Sequence, residues 1–203
     1  MTNSVSKNRA ALLMIAGIPI IIILTATWLW YFVASGKIDL VAMLGTANRG
    51  QLLSPPLALD ELAATTADGT LVKVTDSEQP VWRILVPGSA ACDEECQQVL
   101  YYTRQIHTAM GKYKGRIERV YLADEAALGS PATQRLPEDY EGLKVLYTAP
   151  SKLAALRSAV ADGPAAAYFV VDPYGWIILS YLPGADGKDV MADLKFLLKN
   201  SNG

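Results

Sequence analysis

Histidine occurs once in these 203 residues, as His107, and cysteine twice, as Cys92 and Cys96. No zinc-ligand spacing and no hydrolase-triad motif is present. Basic charge is scarce too: 18 Lys and Arg stand against 20 Asp and Glu, a formal net charge of -2. A phosphate backbone is held by a basic face, so nucleic acid is set aside as a partner. No glycine-rich phosphate loop, internal repeat or low-complexity tract is present. The length suits one ordinary domain with an appendage. Hydrophobic residues reach 51% while charged residues reach 19%, as expected of a soluble domain joined to an apolar segment.

Charge is missing altogether between Ala10 and Ala34. About 20 apolar residues cross the hydrocarbon core as a helix, and this run is long enough. Trp28, Trp30 and Tyr31 cluster at its C-terminal end, where interfacial aromatics sit. Pro19 falls within the run, and a membrane helix tolerates a proline kink there. Lys7 and Arg9 precede the run and favour a cytoplasmic N-terminus. A cleaved signal peptide fits less well, because Val33-Ala34-Ser35 is a poor cleavage site and signal cores span about 7–15 residues. The expected organisation is a cytoplasmic 1–9, a transmembrane helix 10–34, a linker 35–56 and an extracytoplasmic domain 57–203. In a bacterial-type cell that domain is periplasmic and the anchor lies in the inner membrane.

The linker is expected from Gly36, Gly45, Gly50 and Pro55-Pro56, with a short strand or helix around Leu57, Leu59 and Leu62. Asp68-Gly69 signals a turn leading into Leu71–Val74. Strands are predicted over 81–86, 117–122, 143–147, 165–171 and 176–181, the last two joined through Asp172-Pro173-Tyr174-Gly175. Helices are predicted over 92–113, 151–161 and 186–199, with Ser151 as an N-cap, and 129–140 reads as loop because of Pro131 and Pro137. Strands alternating with helices imply a partly parallel sheet. A helix that starts at Cys92 right after the strand over 81–86 fits a thioredoxin-like layout, so the fold class expected is α/β: a thioredoxin-like domain, with a mixed central sheet flanked by helices, preceded by one transmembrane helix.

The chemistry concentrates in Cys92-Asp93-Glu94-Glu95-Cys96, between a buried strand and a helix. A disulfide needs Cα atoms about 4.4–6.8 Å apart, and cysteines at i and i+4 on a first helical turn meet this. The pair is a redox couple, a soft-metal clamp for Cu(I), or a structural staple. A staple closing so short a loop stabilises little. Asp93, Glu94 and Glu95 suit the helix dipole but oppose a thiolate. Among weaker candidates, Glu138-Asp139 and the basic cluster Lys112, Lys114, Arg116 and Arg119 read as solvated surface, and Tyr101-Tyr102 as packing on the sheet.

Four features together resemble membrane-anchored thioredoxin-fold proteins of the Sco/SenC type. These are the N-terminal anchor, Cys92-x-x-x-Cys96 after a buried strand, Tyr168 to Gly175 as a strand followed by an Asp-Pro-x-Gly turn, and a closing helix over 189–198. The resemblance covers roughly residues 57–199 by architecture. It implies an accessory role in assembling the copper centres of cytochrome c oxidase, with oxidase subunits or copper carriers as partners. It also implies a catalytic set of Cys92, Cys96 and Pro164, the proline standing where thioredoxin-like folds place a cis-proline. Cys92 would attack and Cys96 resolve.

The chain departs from the family at the copper site. Where the family has a histidine this chain has Pro164, and no proline follows either cysteine. His107 lies eleven residues beyond Cys96 on the same predicted helix, roughly 16 Å along its axis at about 1.5 Å per residue. Cys92 and Cys96 could then hold Cu(I) transiently, with a partner's third ligand, but not Cu(II) stably. Thiol–disulfide exchange is the leading expectation and requires no cofactor. The alternatives are a copper(I) metallochaperone and a non-catalytic scaffold docked on oxidase subunits.

Overall fold

The computed structural model describes residues 2–35, 48–73, 80–89, 91–160 and 168–201, with side chains from residue 14 onward. Contacts divide the chain into two compact units, Met1–Ala47 and Asn48–Gly203.

The first unit contains helix α1, Thr2–Ala34. Its segment Met14–Ala34 is long and apolar enough to cross a membrane. Apolar side chains such as Ile15, Ile21 and Trp30 stand exposed, as a lipid-facing surface requires. Thr25 and Thr27 donate their hydroxyls to the carbonyls of Ile21 and Ile23 at 2.9 and 2.8 Å. Such internal bonding removes polar donors that lipid could not satisfy.

The second unit is built on six strands: β1 Gln51–Ala58, β2 Trp82–Pro87, β3 Ile117–Asp124, β4 Leu143–Thr148, β5 Tyr168–Val171 and β6 Trp176–Tyr181. They form one sheet in the order β1-β6-β5-β2-β3-β4. Strands β2, β3 and β4 run parallel, whereas β5, β6 and β1 add antiparallel neighbours. The helices are α2 Glu94–Ala109, α3 Pro131–Asp139, α4 Pro150–Ser158 and α5 Gly187–Asn200. Alternation along the strands feeds two cores. Trp82, Ile84 and Val86 face Leu100, Ile106, Val190 and Leu194 of α2 and α5. Leu85, Phe169 and Val171 face Leu153 and Leu156 of α4, and Leu59 and Leu62 of a short 3-10 turn. Strand β2 is central and buried on both faces up to Val86, so the chain leaving it is anchored from both sides.

Several elements differ from the sequence-based expectation. Strand β1 begins at Gln51, inside the stretch expected to be linker. It is an edge strand with a register break between Leu52 and Leu57, and an edge tolerates the missing donors of Pro55 and Pro56. Helix α3 replaces the expected loop: Ser130 caps it, Pro131 starts it and Pro137 lies within it. Helix α4 starts at Pro150, and Ser151 falls inside it rather than capping it. The long helix ends at Ala109 and continues as a 3-10 turn over Gly111–Arg116. Leu71 makes only a bridge to Thr65, while Val74 lies outside the described residues. Arg119 is not solvated surface: it is 2% exposed on β3 and donates to the Glu141 carbonyl.

A buried carboxylate ties the start of the domain to α5. Asp193 accepts from the backbone N–H groups of Arg49 at 2.9 Å and Gly50 at 2.8 Å, and from the Tyr181 hydroxyl at 2.8 Å. A Cβ on Gly50 would press into the Tyr181 ring, so glycine permits this approach. Burial first, and then the bond to Asp193, push the Tyr181 hydroxyl well above the usual phenol range.

Candidate functional site

Cys92 and Cys96 are joined as a disulfide, with Cα atoms 5.1 Å apart. The sequence places them at the junction between β2 and α2, and local bonding explains the geometry. Asp93 caps α2 by accepting the Cys96 N–H at 3.0 Å. Cys96 is thereby fixed in the first helical turn. Cys92 lies just before the cap in the left-handed region, with φ of 38°. That region is costly for a residue carrying a Cβ, so the surroundings must hold it. Gln97 contributes by donating its Nε2 to the Cys92 carbonyl at 3.1 Å.

The two sulfurs are not equally accessible. Cys92 is only 3% exposed and belongs to the core beneath α2, whereas Cys96 is half-buried. A cleft of about 340 Å³ opens over Cys96, lined among others by Pro87, Ser89, Glu95, Arg157 and Pro183. A second hollow, of about 570 Å³, borders Cys92 between Tyr101, Arg104, Arg135 and Tyr140. In the disulfide form Cys96 is therefore the more exposed of the two cysteines.

Tyr121 is a site residue that the sequence did not single out. It lies on β3 opposite Val86 of β2, at the end of the strand that leads into the cysteine loop. Its hydroxyl oxygen is 3.5 Å from Cys96 Sγ and donates to the Ser89 carbonyl at 2.7 Å. A Cβ on Gly88 would collide with the phenol, so glycine at that position makes room for the ring. Burial, with a further push from Asp93 and opposed by Arg157 and the Ser89 bond, raises the hydroxyl's pKa to about 12. Tyr121 therefore stays a proton donor throughout the physiological range.

The remaining candidates are placed as follows. Pro164 lies outside the described residues. His107 contacts the carbonyls of Lys114 and Ile117 through Nε2, at 3.2 and 2.9 Å. Both partners accept, so Nε2 carries a proton; burial, partly offset by the bond to the Ile117 carbonyl, holds the imidazole below its usual pKa. His107 thus braces the end of α2 and is no metal donor to the cysteines. Tyr102 packs and donates to the Ala185 carbonyl at 2.8 Å, while Tyr101 is exposed on the Cys92 hollow. Glu138 and Asp139 sit at the end of α3, and Asp139 lines the same hollow. The Asp-Pro-x-Gly turn forms as expected, Asp172 Oδ1 accepting from the N–H groups of Tyr174 and Trp176 at 2.9 and 2.8 Å.

The cysteine pair offers two sulfur donors to a copper ion, and in this structure the two are joined as a disulfide. Among the described residues there is no group of three or more His, Cys, Asp and Glu side chains able to hold a metal.

Residues 82–201 match the family described as "Transmembrane-like, thioredoxin-like, C-terminal domain". No curated protein matches the sequence. Solved structures share the fold at low identity. Yeast Sco1 is 13% identical, with a TM-score of 0.55 over 73% of this chain and 95% of its own. Copper-bound Arabidopsis thaliana ScoI is 13% identical, with a TM-score of 0.54 over 75% of this chain and 99% of its own. Apo Sco1 from Thermus thermophilus is 18% identical, with a TM-score of 0.54 over 75% and 98%.

Proposed function

Because the chain belongs to this family of transmembrane-like proteins with a thioredoxin-like C-terminal domain, we propose that it is a membrane-anchored thiol–disulfide exchange protein, accessory to the assembly of a copper centre in a respiratory oxidase. One observation carries this reading: a disulfide at the strand–helix junction of a thioredoxin-like fold, with one sulfur buried and the other open to a cleft. That arrangement offers a client thiol an open approach to Cys96 and keeps the second sulfur ready to close the ring again. The substrate is a cysteine pair, in the copper-binding subunit of the oxidase or in a copper carrier. The positive-inside bias of Lys7 and Arg9 supports a cytoplasmic N-terminus and a periplasmic domain. An anchor confines the site near the membrane, where a membrane-bound oxidase is assembled.

The test is replacement of both cysteines by serine in cells that depend on the oxidase. The proposal predicts loss of oxidase activity with the protein still present in the membrane. Unchanged activity at unchanged protein level contradicts it and favours a scaffold.

A further inference from the structure

We propose that Tyr121 is a catalytic hydrogen-bond donor to Cys96, switching its single hydroxyl proton between the Ser89 carbonyl and the Cys96 sulfur as the disulfide opens. The inference rests on the exchange reading above and adds a residue to it. Its basis is geometric. The Tyr121 oxygen lies within 3.5 Å of Cys96 Sγ and 2.7 Å of the Ser89 oxygen, so one proton has two acceptors in reach. In the disulfide, Sγ is a weak acceptor and the carbonyl holds the proton. A thiolate reverses the order, because a charge-assisted bond is roughly twice as strong as a neutral one. The phenol is fully buried and Gly88 leaves its ring the space it occupies, so the donor is preorganised. The nearby side chains at the start of α2, the cap Asp93 and then Glu94 and Glu95, carry the wrong charge for this task. Arg157 lines the Cys96 cleft from α4 and adds positive charge there.

The steps balance as follows. A client thiolate attacks Cys96 Sγ; a client–Cys96 bond forms, the Cys92–Cys96 bond breaks, and the electron pair leaves on Cys92. The client's second thiolate then attacks the client's own sulfur. The mixed disulfide breaks and its electron pair leaves on Cys96, where the Tyr121 hydroxyl receives it. The client loses two electrons and the cysteine pair gains two, while the client's two thiol protons pass through solvent to the new thiols. In the opposite direction Cys96 is the attacking thiolate and Tyr121 holds it before attack.

The experiment uses reduced full-length protein in detergent, comparing wild type with Tyr121→Phe, which keeps the ring and removes the donor. Iodoacetamide labels Cys96, and the rate is followed against pH. The midpoint should rise by about one unit, making labelling at neutral pH about ten-fold slower. An unchanged profile in a folded variant overturns the proposal. Should the variant fail to fold, wild type with isotopically labelled tyrosine gives the answer: reduction at alkaline pH should shift a phenol C–O band in the infrared, and no shift overturns the proposal. A shifted midpoint in a protein that exchanges with no dithiol would uphold the contact while refuting the exchange function. Exchange with an unshifted midpoint would refute Tyr121 alone.

Discussion

Cys92→Ser is expected to leave a protein that captures a client disulfide as a stable mixed disulfide, whereas Cys96→Ser captures it about 100-fold more slowly and both lose turnover. The difference in access argues for this order. Cys96 opens to a cleft, but Cys92 is 3% exposed within the core beneath α2. Reaching Cys92 requires local opening, and an opening free energy on the order of 3 kcal/mol slows attack by about 100-fold. In the Cys92→Ser variant the remaining thiol is reachable, yet no second sulfur resolves what it captures. The measurement is the rate of reaction with an aromatic disulfide in the two single variants, with mass spectrometry of the adducts. Equal rates, or faster reaction at Cys92, would show that burial does not set the order and would restore Cys92 as the attacking thiol.

Asp193→Ala should destabilise the folded domain by about 3 kcal/mol, since an orphaned buried donor costs about 1–3 kcal/mol. The carboxylate collects Arg49 N–H, Gly50 N–H and the Tyr181 hydroxyl, and alanine leaves these without a partner. At about 2–4 °C per kcal/mol, the melting temperature falls by roughly 6–12 °C. Asp193→Asn keeps the shape and one acceptor oxygen, so it should cost less. Thermal melting of both variants by circular dichroism checks the ranking. An Asp193→Ala protein as stable as wild type would mean that the clamp contributes nothing net. The cysteine site lies on other elements, so exchange by the folded fraction should be unaffected.

Much of this was readable from residue order, and the parts that were not have physical reasons. The apolar run, the buried strand before the cysteines and the Asp172–Gly175 hairpin all carry strong local periodicity or turn chemistry, and each stands where it was expected. Proline misled at three places. Pro131 looked like loop, yet proline suits the first turn of a helix capped by Ser130. Pro55-Pro56 looked like linker, yet an edge strand needs only part of its donors. Pro150 occupies the first helical position, which displaced Ser151 from the cap. Tyr121 was legible as a strand residue but not as a site residue. Its role depends on the parallel register that sets it opposite Val86, and on Gly88 leaving room for its ring. A glycine directly after a buried strand and before a cysteine loop was the available signal. The unequal burial of the two cysteines was not legible either, because helix spacing fixes their separation and not which of them points into the core.

The most direct measurement of the central claim is the redox equilibrium of the Cys92–Cys96 pair in full-length protein, titrated against glutathione and dithiothreitol with counting of free thiols. The account predicts a reversible two-electron couple in the span of thiol-exchange proteins, roughly -120 to -270 mV. A disulfide that stays closed below about -300 mV, as structural disulfides do, would contradict it.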